Sequence, residues 1–415
     1  MKRPSSFDPR IAAFLDREAG RSSPDYLDDI LRVTARARQR PAWTSLERWL
    51  RVDIAANRSV FGRPIPWRPL GVLIALALLL AALVAVTVGS RPRLPEPLGR
   101  AANGLVAYGV GGDIVAVDPA TGTSSVIVGG PTNDETPDFS RDGSRFVFAR
   151  ETATPDRWVL VVADADGTDQ RTLTPPGYPE WNVWSPDSTR VAVVDVAPAV
   201  PTLSIFALDG SAPQILDLDG MKAERVAWRP DGTGLVFRGV GPGLHGLYTV
   251  NVDGSGLRPI LPPTSIETDW MEMSLSPDGT RVAYTKWVVD RPFIRVVEIA
   301  SGVDRELAFA GHGETTADGW ARWSPDGTQL VFTRLDVPAN HLAVGPAAGG
   351  VVVEMGPGLQ SFTDGAQAEF APDGSKVIAR YGFDASTWIL DVSGGPGTKL
   401  ADDISALASW QRRAP

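Results

Sequence analysis

Hydrophobic and polar positions alternate in short runs over the last three-quarters of the chain, and the runs recur with a fixed period. Six anchors, Phe139, Trp184, Trp228, Leu275, Trp323 and Phe370, stand 44 to 48 residues apart. Each is followed by a near-identical turn: Ser140-Arg141-Asp142-Gly143, Ser185-Pro186-Asp187-Ser188, Arg229-Pro230-Asp231-Gly232, Ser276-Pro277-Asp278-Gly279, Ser324-Pro325-Asp326-Gly327 and Ala371-Pro372-Asp373-Gly374. Pro presets φ for the second position of a type I turn, Asp tolerates the third, and Gly supplies the positive φ that leads into the next strand. Each turn therefore predicts a hairpin. A β-rich run follows it, such as Phe146-Val147-Phe148 or Leu330-Val331-Phe332. A third run ends in its own Asp-Gly turn, as in Leu247 to Gly254, and a more polar fourth follows, such as Arg171 to Thr174.

Four short antiparallel strands per period of about 45 residues describe a propeller blade. The ends need separate treatment. Leu105 to Tyr108 and Ile114 to Asp118 match second and third strands, yet no anchor and turn precede them. Ala406 to Trp410 reads as an inner strand with its anchor, after which no further blade follows. The pattern therefore predicts an all-β, seven-bladed β-propeller over residues 104–415, with the C-terminal strand closing the N-terminal blade and removing both free sheet edges.

These turns and anchors resemble the TolB-like (WD-repeat-like) β-propeller family, whose repeat carries Trp-Ser-Pro-Asp-Gly between its first and second strands. The resemblance covers roughly residues 104–415. Its matching positions are structural ones, so it implies a fold and leaves the family's binding interfaces unmapped.

The pattern changes upstream. Residues 69–90 hold an uncharged run, Leu70 to Ser90, rich in Leu, Ala and Val and bounded by Arg68 and Arg91. At about 1.5 Å rise per residue it is long enough for a single transmembrane helix. Residues 91–103, with Pro92, Pro95 and Pro97, read as a stiff linker. Residues 1–68 read as a small helical segment. Asp8-Pro9 and Ser23-Pro24 open helical patterns, and Thr44 with Glu47 forms a capping box ahead of Trp49. This segment suits either a lipid surface or a cytoplasmic protein partner.

Charge adds orientation. The whole chain has a net charge of −9. Residues 1–68 contain 14 basic and 8 acidic residues, so the rest carries −15. A basic tail and an acidic domain predict a cytoplasmic N-terminus and an extracytoplasmic propeller in the cell envelope. The acidic balance disfavours nucleic acid. The absence of cysteine excludes disulfides and Cys-ligated zinc.

No nucleophile elbow is present, and His245, His312 and His341 sit in separate blades. Asp164, Asp166 and Asp169 lack the ligand series of a calcium loop and read as turn chemistry. No cofactor, catalytic residue or metal site is expected. Three to six residues before the anchors, however, carboxylates recur: Asp134 and Glu135, Glu180, Glu224, Glu272, Asp318 and Asp364. Trp181, Trp270 and Trp320 accompany them. The inner strand of a blade lines the central channel, so this spacing predicts an acidic, aromatic channel mouth fit for binding. The expected function is that of a single-pass, membrane-anchored binding or scaffold protein without enzymatic activity, engaging an envelope protein, peptide or glycan. The alternative is a transmembrane signalling regulator, similar in architecture to membrane-spanning anti-sigma factors, with the propeller as sensor and residues 1–68 as cytoplasmic effector.

Overall fold

The computed structural model describes residues 99–415, except 198–200, 242–243, 265–271, 289–290, 312–315, 336–339, 360–366, 382–385, 405 and 415. The expected N-terminal segment and transmembrane helix, and most of the linker, lie outside the described residues. Among those described, no helix is long and apolar enough to cross a membrane.

The strands form seven four-stranded antiparallel sheets. Six are built in sequence order, each from an inner strand that ends on an anchor residue and three strands that step outward. The seventh is composite. Its inner strand, Ser409–Arg413, pairs with Ala102–Val110, which in turn pairs with Asp113–Val117, and that with Ser124–Val128. The register across the closure sets Ala102 opposite Arg413 and Val106 opposite Trp410. We number this composite sheet blade 1 and the others blades 2 to 7. The seven-bladed propeller with a C-terminal closing strand is thus the fold that the repeat predicted, with its first strand beginning at Ala102.

The core lies between blades. Seven clusters of buried apolar side chains occupy the seven seams. Between blades 3 and 4, for example, Val194, Leu203 and Ile205 meet Trp228, Leu235 and Phe237. The anchors are part of this packing: Trp184 is 1% exposed, and burying a side chain of this kind contributes roughly 2–3 kcal/mol.

The tryptophan anchors also make a polar bond across the seam. The indole N–H of Trp184 donates to the carbonyl of Asp138, that of Trp228 to Val183, and that of Trp323 to Ser274, at 2.9, 3.0 and 3.0 Å. Each acceptor is the residue just before the preceding blade's anchor. The blades are therefore stitched at the channel wall by a repeated indole-to-backbone bond. Trp410 differs, its indole N–H having no partner among the described residues. At that seam the lead-in segment supplies the bonds: Ala101 N–H donates to the Pro372 carbonyl, and Asp373 N–H to Asn103 Oδ1.

Within each turn the Asp side chain organises the chain locally. Asp187 Oδ1 accepts from Ser185 Oγ, Thr189 N and Thr189 Oγ1, and Ser185 Oγ accepts from Arg190 N. The same set recurs around Asp278 and Asp326. Ser188, which stands where the other turns have Gly, adopts φ 58°. Its Oγ accepts from the Asp142 N–H of the neighbouring blade, a compensation that glycine could not provide.

Replacing Trp228 with Phe keeps an aromatic anchor but orphans the Val183 carbonyl. The expected cost of that lost bond is about 1–2 kcal/mol, a fall in Tm of about 2–4 °C. Trp410→Phe breaks no such bond and is expected to lower Tm less. Thermal melts of the two variants check the stitching role, which equal shifts would refute.

Candidate functional site

A cavity of about 390 Å³ occupies the central channel, lined by the inner strands of all seven blades. The residue immediately before each anchor faces it: Asp138, Val183, Ala227, Ser274, Arg322, Glu369 and Ser409. Trp181 and Arg225, three residues before their anchors, line it as well. Bulges occur in several of the inner strands. Register shifts fall between Glu135 and Asp138, Glu224 and Ala227, and Gly319 and Arg322. Thr136, Arg225 and Trp320, equivalent positions in three blades, hold positive φ of 52°, 50° and 57°. A bulge inserts one residue and re-aims its neighbours, at a conformational cost that the surrounding sheet must hold in place.

The bulge at Arg225 has a visible consequence. Its guanidinium lies 3.8 Å from the Trp181 ring centroid, in the preceding blade, and its Nε is 2.6 Å from Glu272 in the following one. Glu272 in turn reaches Arg322 Nη2 at 3.4 Å. Trp181, Arg225, Glu272 and Arg322 therefore form a continuous aromatic and charged belt across blades 3 to 6.

The other carboxylates expected at the mouth have separate positions. Asp134 is fully buried and bonded to both Nε and Nη2 of Arg150, at 2.7 and 2.9 Å. Asp318 is 2% exposed and bonded to Arg334 at 2.9 and 3.1 Å. Glu224 bonds Arg238 and lies 2.9 Å from Lys222. In each case the arginine sits directly opposite on the second strand, so blades 2, 4 and 6 repeat one cross-strand ion pair. Such pairs fix geometry, since removing either partner strands a buried charge. Lys222 also approaches Glu180 at 3.3 Å, joining blades 3 and 4. Glu135 accepts from Asn133, and Trp320 meets Trp287 edge-on at 6.0 Å. Trp270 and Asp364 lie outside the described residues. Among the described residues, no group of His, Asp and Glu is arranged to hold a metal ion.

Sequence spacing did not pick out Asp138, Arg141, Arg322, Glu369 and Arg412, which line the cavity toward its turn side. For Asp138, Arg322 and Glu369 the signal was available as the residue just before the anchor, while Arg141 and Arg412 each stand two residues after theirs. Asp138 is half-buried, and its side chain accepts from Ser409 Oγ at 3.3 Å. Burial pushes its carboxyl up to about 7, aided by Glu369 and opposed by Arg141 and the Ser409 hydrogen bond. Arg412 is pulled down to about 10, by burial first and then by the like charge of Arg141.

Comparison with known proteins locates this architecture. Residues 143–394, more than half of the chain, match the TolB beta propeller domain. The chain belongs to the TolB β-propeller domain family. An uncharacterized protein of Agrobacterium fabrum is 23% identical over 207 residues, covering 47% of this chain and 68% of that one. TolB from Acinetobacter baumannii superposes with TM-score 0.50 at 18% identity, covering 76% of this chain and 81% of its own. Oligogalacturonate lyase from Vibrio parahaemolyticus gives 0.54 at 16% identity, covering 72% and 90%. At these identities the two solved structures establish a shared propeller fold.

In this TolB-family propeller Asp138 gives a pH signature. Its folded-state value stands above the ordinary carboxylate range, so the native state binds the extra proton between about pH 4 and 7. Stability from this group is fully present below pH 4 and is lost as the pH rises through 7. Asp138→Asn removes the titration. The variant is expected to gain on the native protein by up to a few kcal/mol between pH 5 and 8, measured by denaturant unfolding at each pH. A difference that stays constant with pH contradicts the assignment.

Proposed function

We propose that the chain is a binding or scaffold protein of the cell envelope, without enzymatic activity. In this reading residues 69–90 anchor it in the membrane with the N-terminus in the cytoplasm. The propeller works outside the cytoplasm, taking a protein, peptide or glycan partner at the channel mouth formed by the starts of the inner strands. Membership of the TolB family supports the binding role. The observation that carries the choice of mouth is the path of the lead-in segment. Arg100 bonds Asp326 at 2.6 Å, Ala101 bonds Pro372, and the Gly99 carbonyl accepts from Arg412. All three contacts lie on the turn side, which leads us to place the binding surface at the opposite mouth. That mouth presents Glu180, Lys222 and the Trp181–Arg225 stack, a mixed polar and aromatic rim of the kind that protein and glycan surfaces engage.

Two measurements test this. Crosslinking in intact cells, followed by identification of captured proteins and glycans, is expected to recover an envelope partner with the native chain. With the pair Glu180→Lys and Trp181→Ala, recovery is expected to fall at least about tenfold, as loss of a central aromatic contact predicts. Unchanged capture would reject the mouth. Separately, the full chain is expected to stay with membranes through an alkaline carbonate wash and leave them only with detergent. Release by carbonate alone contradicts the anchor.

A further inference from the structure

We infer that the channel cavity is a binding site for an organic anion bearing carboxylate or phosphate groups. This deepens the binding role proposed above by naming the ligand chemistry. At about 390 Å³ the cavity falls within the range of small-molecule sites. Four guanidinium groups line it, from Arg141, Arg225, Arg322 and Arg412, against two carboxylates, Asp138 and Glu369.

Glu272 offsets part of that excess, and the way it does so is informative. One carboxylate is shared between Arg225 and Arg322, at 2.6 and 3.4 Å, so the two cations have a single counter-charge on that side. Arg225 lies over the Trp181 ring, and the Arg322 side chain remains 43% exposed. A guanidinium carries five donors in a planar fork that matches carboxylate and phosphate oxygens in pairs. Glu272 uses only one donor from each that it meets, leaving the others for a ligand.

The far wall repeats the excess. The Arg141 guanidinium makes no hydrogen bond or ion pair with any described residue, yet it lies near enough to Arg412 to disfavour that residue's charge. Arg412 donates to the carbonyls of Arg141 and Gly99, and the Glu369 carboxylate supports its charge. Two like charges brought together in a partly dry channel repel, and an anion between them converts that repulsion into binding.

Asp138 couples the site to protons. The groups acting on its carboxyl are Arg141 on its own turn, Glu369 on blade 7 and Ser409 on the closing strand. Below neutral pH Asp138 is protonated, which removes one negative charge from the lining. Anion affinity is therefore expected to rise as pH falls from 8 to 6, with net proton uptake on binding.

Isothermal titration of the detergent-solubilised full chain tests the site. The probes are citrate for carboxylate and sulfate for a tetrahedral anion, with uncharged sorbitol as control. Sulfate keeps a constant charge from pH 6 to 8. Saturable 1:1 binding of at least one anion is expected, weakened by added sodium chloride, with sulfate tighter at pH 6. Arg141→Gln and Arg322→Gln are each expected to reduce affinity at least about tenfold at unchanged Tm. No saturable binding, or affinities untouched by both substitutions, overturns the inference. Adding citrate to the crosslinking experiment separates the ligand's sources. Displacement of the captured partner assigns the anionic group to that partner, while simultaneous binding assigns the site to a free small molecule. Failed titration with capture intact removes the anion site alone, whereas anion binding without capture removes the docking role alone.

Discussion

Pairing of Ser409–Arg413 with Ala102–Val110 is the contact on which the remaining structure depends. A blade cannot bury both of its faces alone, and six blades in a row would leave two open apolar surfaces and two unpaired inner edges. Closing the ring replaces these ends with a seventh seam, where Val106, Tyr108 and Trp410 pack on Ala371 and Ile378. The channel exists only because the ring closes. So does the cavity lining, since Ser409 and Arg412 on the closing strand meet Asp138 and the Arg141 carbonyl on blade 2.

The repeat made most of this fold legible. Pro, Asp and Gly encode backbone geometry locally, so six hairpins and a fixed period are readable without knowledge of distant contacts, and Trp410 announces the closing strand. Interactions between blades are less visible, because they join positions far apart in sequence. The indole bonds of Trp184, Trp228 and Trp323 are examples, since nothing near these residues indicates that a carbonyl in the preceding blade accepts from them. Ser188 likewise looks like a defect in its turn until Asp142 N–H supplies the reason.

The site was legible only in part, for a geometric reason. Counting back from the anchors reached the right strand, and it found Trp181 and Glu272 in the channel belt. Bulges at Thr136, Arg225 and Trp320 interrupt the simple alternation on which that count relied. Asp134 and Asp318 lie within their own sheets, bonded to Arg150 and Arg334, and the residues adjoining the anchors form the wall. The lining charge changes with them. A domain with an acidic surplus encloses a channel where guanidinium groups outnumber carboxylates, a contrast that net charge cannot reveal.

Ring closure is therefore the claim to test most directly, and a chain without cysteine permits a clean experiment. Ala102 and Arg413 face each other across the closing pair, 311 residues apart in sequence. Facing positions of an antiparallel pair stand about 4.5–5.5 Å apart at Cα, within disulfide range. Ala102→Cys with Arg413→Cys is expected to form a disulfide in the folded protein under mild oxidation. Linking positions so far apart should then raise Tm in the oxidised form relative to the reduced one. Thiols that remain free in the folded protein would contradict the closed seven-bladed ring.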